Sequence, residues 1–467
     1  MIKNSRKSLL LAVFFFVLGI GVSMFYQTFA TNSGALEYPQ NFDKVRLTYK
    51  HIQERYIEDV SDETLIDGAI KGMLDAIGDP YTSYMTPAEA ADFDSSLQSS
   101  FEGIGAEVTM NGKNVTIVSP IKGSPAERSG LIPGDIILSV DSESVEGLSL
   151  TEAVLKIRGP KGSTVVIEIL REGHKEPIAY SLIRDTIPLE TVYADMLDDG
   201  IGKIEITQFS HKTAERFATE FWNLQEQGMK GLIVDVRNNP GGTLDSVVEI
   251  SKLLIPNKGI IMQIEDHDGN KEVIHSTLEK ELVPVVVIVD KGSASASEIL
   301  AAALQESAGY QVVGVDSYGK GSVQTMERFK DGSEIKFTIA KWLTPEGNWV
   351  HQKGVIPNHV VELPEVFTVP RLPADETLQY DNNNTHVRSL QVMLQHLGYD
   401  TGRTDGYFSR QTEKAVTDFQ SANGLAMTGI VTEKEAAAIN DAVIKTLENS
   451  DTQLVKAVEV IKSQVKQ

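Results

Sequence analysis

An apolar strand that runs directly into a serine turn and a helix constrains this chain more than any other feature. Residues 285–289 (VVVIV) predict a buried strand. After a break at 290–292, residues 293–298 open a helical pattern that continues through Leu304. A second apolar run, residues 310–315, then leads to a lysine between two glycines. Strands and helices that alternate in this way predict an α/β core.

The serines and Lys320 of this stretch suggest a nucleophile and its base. Each part alone has an ordinary explanation, the serines as a helix N-cap and Gly-Lys-Gly as a surface turn. A phosphate loop is excluded, because the G-x-x-x-x-G-K-[ST] spacing fails. Together the two parts suggest a dyad in which a serine oxygen attacks a carbonyl and a neutral Lys320 takes its proton. Amides at the start of the helix would hold negative charge.

A lysine that acts as a base needs unusual surroundings. The free side chain has a pKa near ~10.4, and burial lowers it by up to roughly 3–5 units because desolvation disfavours the charged form. We therefore expect a dry site without a nearby carboxylate. Gln324 suits such a site, since an amide orients the amine without stabilising its charge as Asp or Glu would.

These residues resemble the signature of the carboxyl-terminal processing peptidases, also called tail-specific proteases. The signature pairs Gly-Ser-Ala-Ser-Ala-Ser-Glu with a later Gly-Lys-Gly-x-Val-Gln, and the lysine follows the middle serine by 25 positions, as Lys320 follows Ser295. Ser293 and Ser297 do not meet this spacing. The resemblance implies a crotonase-like α/β serine protease core in which Ser295, Lys320 and Gln324 are catalytic.

A glycine turn after another predicted strand completes the expected site. The strand 231–237 ends in Asn-Asn-Pro-Gly-Gly, residues 238–242. By itself this sequence is an ordinary tight turn, but beside a serine turn it could supply a backbone N–H to an oxyanion. The resemblance implies an oxyanion hole built from the amides of Gly241 and Ala296.

Composition limits the chemistry and the partners. The chain has 467 residues and a net charge of −22, which argues against nucleic acid binding through a general basic surface. It has no cysteine, so disulfides, thiol catalysis and cysteine-bound metal are excluded. The nine histidines show no metal-binding spacing. We expect neither a metal nor another cofactor.

The N-terminus, residues 1–36, reads as an export signal. Basic residues precede an apolar run, residues 9–25, which at 17 residues is at the lower limit of a membrane span. We favour an uncleaved anchor, which would place the protein in the cell membrane as a single-pass protein with its catalytic part extracytoplasmic. Cleavage after the weak site at 28–30 would instead give a secreted protein.

The rest of the chain predicts a multidomain α/β (α+β) protein. The predicted parts are a helical segment (37–97), a β-rich PDZ domain (98–185), the protease core (186–366), a linker (367–380), a module resembling the three-helix peptidoglycan-binding module (381–442) and a C-terminal helix (443–467). Comparable helical segments in the family contribute to dimerisation, so a homodimer is a candidate assembly. The last helix is expected to pack either on the protease or on a second subunit.

Residues 101–108 resemble the carboxylate-binding loop of a PDZ domain. Glycines in such a loop let backbone N–H groups turn toward an anion, and the adjoining strand edge pairs with an extended peptide. The expected loop residues are Gly103, Ile104, Gly105 and Ala106. The expected partners are protein or peptide substrates with free C-termini, peptidoglycan and the membrane. Arg158 occupies a position that links the PDZ domain to the active site in related proteases; a solvated turn residue is the alternative.

Other functions fit the sequence less well. An inert scaffold with PDZ and wall-binding modules would not need Ser295, Lys320 and Gln324 together. A crotonase-like acyl enzyme agrees poorly with an export signal and a PDZ domain. A Ser-His-Asp triad that uses His211 or His351 stays open in principle, although no family feature supports it. We expect a membrane-associated serine endopeptidase that processes proteins at their C-termini.

Overall fold

The structure is a computed structural model that describes residues 40–98, 100–121, 123–148, 150–171 and 176–465. The predicted anchor, residues 1–36, lies outside these ranges. Within them, no helix is long and apolar enough to cross a membrane. Contacts divide the chain into two units, Met1–Tyr84 and Met85–Gln467.

The described residues form twelve α-helices and nineteen β-strands. The helices are α1 (Asp43–Arg55), α2 (Asp62–Asp75), α3 (Pro87–Leu97), α4 (Pro125–Arg128), α5 (Leu150–Ile157), α6 (Thr213–Glu226), α7 (Leu244–Leu254), α8 (Ala296–Ala308), α9 (Thr385–His396), α10 (Arg410–Ala422), α11 (Glu433–Ser450) and α12 (Thr452–Val465), with short 3-10 turns at Gln40–Phe42, Asp198–Gly200 and Glu365–Phe367. The strands are β1 (Ser83–Met85), β2 (Ser100–Gly103), β3 (Ala106–Asn111), β4 (Asn114–Pro120), β5 (Ile136–Val140), β6 (Glu143–Ser144), β7 (Thr164–Leu170), β8 (Ile178–Ile183), β9 (Asp185–Pro188), β10 (Val192–Leu197), β11 (Ile201–Ile206), β12 (Gly231–Asp235), β13 (Ile260–Asp266), β14 (Lys271–His275), β15 (Val285–Val289), β16 (Gln311–Gly314), β17 (Ser322–Arg328), β18 (Glu334–Leu343) and β19 (His359–Val360).

The first unit contains the helices α1 and α2. Ser61 caps α2, its hydroxyl accepting the backbone N–H of Thr64 at 3.1 Å. The predicted apolar stripes of both helices are found, but they remain exposed: Val45 is 42% exposed and Met73 is 51% exposed. An exposed stripe of this kind is a candidate contact surface.

The PDZ domain is an antiparallel sheet with the strand order β3-β4-β5-β7-β8 and β6 beside β5. Side chains alternate along β7, so that Val165, Ile167 and Ile169 point into the domain core. β2, at the N-terminal end of the domain sequence, pairs antiparallel with β9, at its C-terminal end. Ile104, which belongs to the predicted peptide-binding loop, packs its side chain in this core.

The protease core is built on a central sheet with the order β10-β11-β12-β15-β16-β19. β10 pairs antiparallel with β11, and the following neighbours pair in parallel. β12 and β15 are buried along their whole length, which explains their uninterrupted apolar sequences. Their carboxyl ends lie side by side at one edge of the sheet, because Asp235 pairs with Ile288. The glycine turn and the serine turn follow these two ends, so the sheet brings them together.

Helices cover both faces of the central sheet. The first face packs against α6, α7 and α8. On the other face, Ala457, Val460 and Ile461 of α12 pack against Ile233 and Ile288 of the sheet. Of the two predicted positions for the last helix, the structure therefore shows the one on the protease core.

A second antiparallel sheet supports the lysine turn. In it β17 pairs with β18, β18 with β13 and β13 with β14. β17 begins at Ser322, two residues after Lys320. The turn therefore lies where the chain passes from the central sheet into the second sheet.

The peptidoglycan-binding module contains α9, α10 and α11, and two buried glutamines hold its turns. Gln391 accepts the N–H of Gly406 at 3.0 Å and donates to the Tyr407 carbonyl at 2.8 Å. Gln420 does the same for Gly429 and Ile430, at 2.9 Å in each case. The same hydrogen-bond arrangement therefore holds two turns of the module.

The boundaries of this module differ from the prediction. The predicted linker 367–380 is packed, since Leu372 and Leu378 lie in the module core. The backbone N–H of Leu372 donates to Asn440 Oδ1, and the Leu372 carbonyl accepts from Asn440 Nδ2, each at 3.0 Å. The predicted boundary between 442 and 443 falls inside α11, because Val443 continues the buried stripe of that helix. α11 ends at Ser450, and α12 begins at Thr452.

Candidate active site

Ser295 stands at a strained turn between β15 and α8. Its backbone has φ 54° and ψ −110°, a conformation that side chains other than glycine rarely adopt and that is common at functional sites. The neighbouring serines are structural: Ser293 is buried and donates to the Val236 carbonyl at 2.7 Å, and Ser297 is buried and donates to the Asn239 carbonyl at 2.9 Å. Ser295 is the serine of the three that lines the cleft.

The glycine turn lies directly against the serine turn. A Cβ on Gly241 would come within 2.8 Å of the Ala294 carbonyl and 3.0 Å of the Ala296 amide, so only glycine permits this approach. The turns are also linked by the Ala294 N–H, which donates to the Asn239 carbonyl at 3.0 Å. The Gly241 N–H donates to Asn239 Oδ1 at 2.9 Å. Of the two amides predicted for the oxyanion hole, that of Gly241 is therefore already hydrogen-bonded to a side chain.

Glu298, on the first turn of α8, connects the serine to the lysine. It is fully buried at 0% exposure. Its Oε2 accepts the backbone N–H groups of Ser295 and Lys320, each at 2.8 Å. Its Oε1 accepts from the Ser317 hydroxyl at 2.5 Å and from the Gly319 N–H at 2.7 Å. These four hydrogen bonds and the helix N-terminus stabilise the buried negative charge.

Glu298 corrects the expectation of a site without a nearby carboxylate. Its hydrogen bonds go to backbone amides and to the Ser317 hydroxyl, so this charge organises the main chain of the two turns. The sequence reasoning missed the residue, although the spacing of Ser295 and Glu298 is that of a capping box, S-x-x-E. That spacing was the available signal.

Lys320 and Gln324 line the same cleft as Ser295. Gln324, on β17, donates its side-chain N–H groups to Ser322 Oγ at 2.8 Å and Thr338 Oγ1 at 3.2 Å. These bonds fix the orientation of the amide. They leave its carbonyl oxygen as the group suited to accept a hydrogen bond from an amine.

The cleft has a volume of about 450 Å³. Its apolar wall comes from Leu244, Ile299, Val323, Met326 and Trp342, and its other lining residues include Phe93, Asp94, Gln98, Gln208, His211, Pro240 and Lys336. Two helix N-termini, those of α7 and α8, open into it. An apolar cleft with a few polar groups at one end suits an extended peptide.

The helix α3 forms one wall of the cleft and also reaches the PDZ domain. Its Asp94 forms an ion pair with Arg328 of β17, and Lys336 lies 5.0 Å from the centre of the Phe93 ring. On the PDZ side, Asp92 lies 4.0 Å from the Arg158 guanidinium. A single helix thus contacts both the PDZ domain and the strand that follows Lys320.

Arg158 lies at the PDZ pocket. Its guanidinium stacks 4.9 Å from the centre of the Phe101 ring. It lines an apolar pocket of about 390 Å³ together with Gly103, Ile104, Gly105 and Ala106 of the predicted loop. The structure therefore brings the predicted loop and Arg158 together in one pocket, separate from the cleft that Ser295 lines.

Behind the glycine turn, Arg237 ties the turn to the end of the peptidoglycan-binding module. It binds Asp235 through hydrogen bonds of 2.9 and 2.7 Å and Asp451 through hydrogen bonds of 3.0 and 2.7 Å. Burial lowers the pKa of the Arg237 guanidinium, but the two carboxylates outweigh this effect, so the pKa is raised overall. Arg237 therefore stays charged, and its network was not predicted.

Of the two histidines considered for an alternative triad, His211 lines the cleft and His351 does not. His211 lines the cleft, and its backbone N–H donates to the Leu97 carbonyl at 3.0 Å. His351 stacks on Trp349 with ring centres 4.8 Å apart. Across the described ranges, no group of three or more His, Cys, Asp and Glu residues is placed to hold a metal ion.

Four family profiles match the chain. Peptidase family S41 matches residues 200–361, and a PDZ domain matches residues 116–171. A putative peptidoglycan binding domain matches residues 383–439, and the activating protease CtpB N-terminal domain matches residues 24–89.

Two relatives are similar to the chain over most of its length. The carboxy-terminal processing protease CtpB of Bacillus subtilis is 46% identical over 436 residues, which cover 92% of this chain and 91% of that protein. CtpA of the same organism is 42% identical over 425 residues, which cover 91% of each. Among solved structures, the photosystem II D1 C-terminal processing protease is 29% identical with a TM-score of 0.43, covering 71% of this chain and 88% of that one.

Proposed function

Because the chain belongs to peptidase family S41, as a serine C-terminal processing protease with a PDZ domain and a peptidoglycan-binding domain, we propose that Ser295 and Lys320 are its catalytic dyad. The observation that carries this proposal is the placement of both residues in one cleft, with a single buried carboxylate holding both backbones. Gln324 orients the Lys320 amine.

The proposed reaction is acyl transfer in two steps. Ser295 Oγ attacks the scissile carbonyl carbon, and its proton passes to the neutral Lys320 Nζ. Collapse of the tetrahedral intermediate breaks the C–N bond, and Lys320 returns the proton to the leaving amine. Water then attacks the acyl-serine ester and loses a proton to Lys320. As the ester C–O bond breaks, Lys320 returns this proton to Ser295 Oγ, so that the acid product is released and both residues regain their starting states.

We propose that the amides of Ala296 and Gly241 stabilise the oxyanion of the intermediate. Ala296 is the first residue of α8, where backbone N–H groups lack partners within the helix. The Gly241 N–H would have to turn from Asn239 Oδ1 toward the oxyanion or be shared between the two. The structure would then represent the enzyme before substrate completes the hole.

The PDZ domain is proposed to recognise substrates by their free C-termini. Its pocket combines the loop at Gly103–Ala106 with an apolar interior. In the PDZ mode of binding, an extended peptide adds to the edge of a sheet and its terminal carboxylate meets backbone N–H groups. Arg158 is proposed to couple peptide binding at the PDZ domain to the cleft. The position of Arg158 beside Asp92 of α3, a helix that also lines the cleft, supports this coupling.

We further propose that the protein acts outside the cytoplasm at the cell envelope. An anchor in residues 1–36 would hold it in the membrane, and the wall module would bind peptidoglycan. A second copy would cover the exposed apolar stripes of α1 and α2. Light scattering on the full-length protein tests the dimer: Val45→Asp should convert a dimer to a monomer, and a parent protein that is monomeric would disprove it.

The experiment that tests this function compares protein fragments outside the cytoplasm in cells with the parent enzyme and with Ser295→Ala. We expect proteins with shortened C-termini in the parent only. Identical fragment sets would contradict extracytoplasmic processing by this enzyme. Sedimentation of the purified protein with isolated peptidoglycan tests the wall module separately.

A further inference from the structure

The turn that carries Lys320 is held by two tryptophans. The indole Nε1–H of Trp342 donates to the Lys320 carbonyl at 2.8 Å, and that of Trp349 donates to the Gly321 carbonyl at 2.8 Å. The Trp342 backbone N–H also donates to the Gly321 carbonyl, at 3.1 Å. Two consecutive carbonyl groups at the lysine are therefore fixed by side chains from later in the chain.

The other polar groups of the turn are occupied as well. Glu298 accepts the N–H groups of Gly319 and Lys320, and the Gly319 carbonyl accepts the N–H of Gln352 at 2.8 Å. The main chain on both sides of the Lys320 Cα thus has defined partners. A lysine side chain has several rotatable bonds, so its amine can take many positions around the Cα. Fixing the Cα therefore limits the region that the amine can reach.

Gly321 is required for one of these contacts. A Cβ at this position would lie 2.6 Å from Trp349 Nε1 and 2.8 Å from the His351 amide. Only glycine lets the indole approach the turn so closely. The second glycine of the Gly-Lys-Gly motif therefore has a packing role that depends on Trp349.

The two tryptophans differ in their surroundings. Trp342 is 1% exposed, belongs to the main core and lines the catalytic cleft. Trp349 is 45% exposed. It is held in place by stacking on His351, while the Lys341 ammonium lies 5.6 Å from the centre of its ring. Replacing Trp349 therefore removes a hydrogen bond from the turn without opening a large cavity in the core.

We propose that Trp342 and Trp349 are positioning residues that hold Lys320 at the reach and angle needed to take the proton of Ser295. This inference rests on the proposed Ser295–Lys320 dyad. Neither indole is proposed to touch the substrate through its N–H, since each N–H faces the main chain of the lysine turn.

The test uses Trp342→Phe and Trp349→Phe, which keep an aromatic ring and remove the indole N–H. The chain offers a matched control, because the third tryptophan, Trp222, is 48% exposed on α6 and meets the Phe221 ring edge-on. All variants are measured as full-length protein with a quenched fluorogenic peptide that has a free C-terminus. The readouts are kcat, KM, the pH profile of kcat and the melting temperature.

Since a misplacement of about 1 Å can cost roughly a hundredfold in rate, we expect Trp349→Phe to lower kcat about tenfold and Trp342→Phe about a hundredfold. The KM of both variants should equal that of the parent. The Trp222→Phe control should match the parent in every readout. The pH profile of kcat should also move, because the displaced amine has a different environment; a role in packing alone would leave this profile unchanged.

The inference is overturned if Trp349→Phe keeps the parent kcat and pH profile, and this decides the matter even if Trp342→Phe does not fold. Ser295→Ala and Lys320→Ala are measured beside it. If either of these keeps activity, the proposed dyad itself is wrong. If both are inactive while Trp349→Phe equals the parent, only the role of the tryptophans is wrong.

Discussion

Glu298, on the helix that follows Ser295, accepts the backbone N–H of Lys320 at 2.8 Å. The same oxygen accepts the N–H of Ser295. One buried carboxylate therefore links the main chain of the two residues of the proposed dyad, in addition to the packing of the strands. This arrangement gives a direct prediction.

Glu298→Gln should lower activity about a hundredfold, because a displacement of about 1 Å has that effect. The new amide group would place N–H donors against backbone N–H donors, so two hydrogen bonds would be lost. We expect the free energy of unfolding to fall by about 3 kcal/mol, since each bond to a charged group contributes about 1.5–3 kcal/mol. Peptide hydrolysis and thermal unfolding measure the two effects. Glu215→Gln, an exposed change on α6, is the control. Parent activity in Glu298→Gln would show that the carboxylate has no role in aligning the dyad.

Asp451→Asn should destabilise the protein and lower its rate of peptide cleavage. Asp451 and Asp235 share the buried Arg237, directly before the glycine turn. Removing one carboxylate weakens this network by about 2 kcal/mol. We expect a lower melting temperature and a moderate fall in kcat. Asp441→Asn, on the exposed face of α11, should behave as the parent. Equal stability of the two variants would mean that Asp451 does not link the wall module to the core.

Arg158→Ala should slow the cleavage of peptides with a free C-terminus while Ser295 and Lys320 remain intact. If a terminal carboxylate binds the active arrangement about a hundredfold better than the resting one, it shifts the equilibrium by about 2.7 kcal/mol. The parent should therefore cleave a free-acid peptide faster than its amide, and Arg158→Ala should reduce this difference. Lys113→Ala, on an exposed PDZ turn, is the control. Equal rates for acid and amide, together with a fully active Arg158→Ala, would leave the PDZ domain as a tether only.

Activity should be unchanged by EDTA. A serine and a lysine complete the proposed reaction without a metal or nucleotide. The rate of peptide cleavage before and after dialysis against the chelator measures this. Loss of activity that a divalent ion restores would contradict the prediction.

Several features of the fold could be predicted because they depend on local sequence. The apolar run 285–289 coincides with β15. A parallel strand buried on both faces requires such a run. The position of Ser295 after this strand and the glycine turn after β12 followed from the same pattern, and the PDZ and peptidoglycan-binding domains followed from resemblance.

Other features could not be predicted because they depend on contacts between distant parts of the chain. Arg237 meets Asp451 across 214 positions, and the indole of Trp349 meets Gly321 across 28. The spacing of Ser295 and Glu298 indicates a helix cap at most, and nothing local shows that the Glu298 carboxylate also binds the lysine turn. The predicted bound between residues 442 and 443 falls inside α11, because Val443 packs in the module core through contacts with residues far away in the sequence.

The most direct test of the dyad is the hydrolysis of one free-acid peptide by purified Ser295→Ala, Lys320→Ala and Lys320→Arg beside the parent enzyme. All three variants should be folded, as judged by thermal unfolding, and inactive. Arginine, like alanine, cannot act as the base at position 320, because its guanidinium does not lose a proton in a protein. Full activity in folded Ser295→Ala or Lys320→Ala would contradict the proposed mechanism.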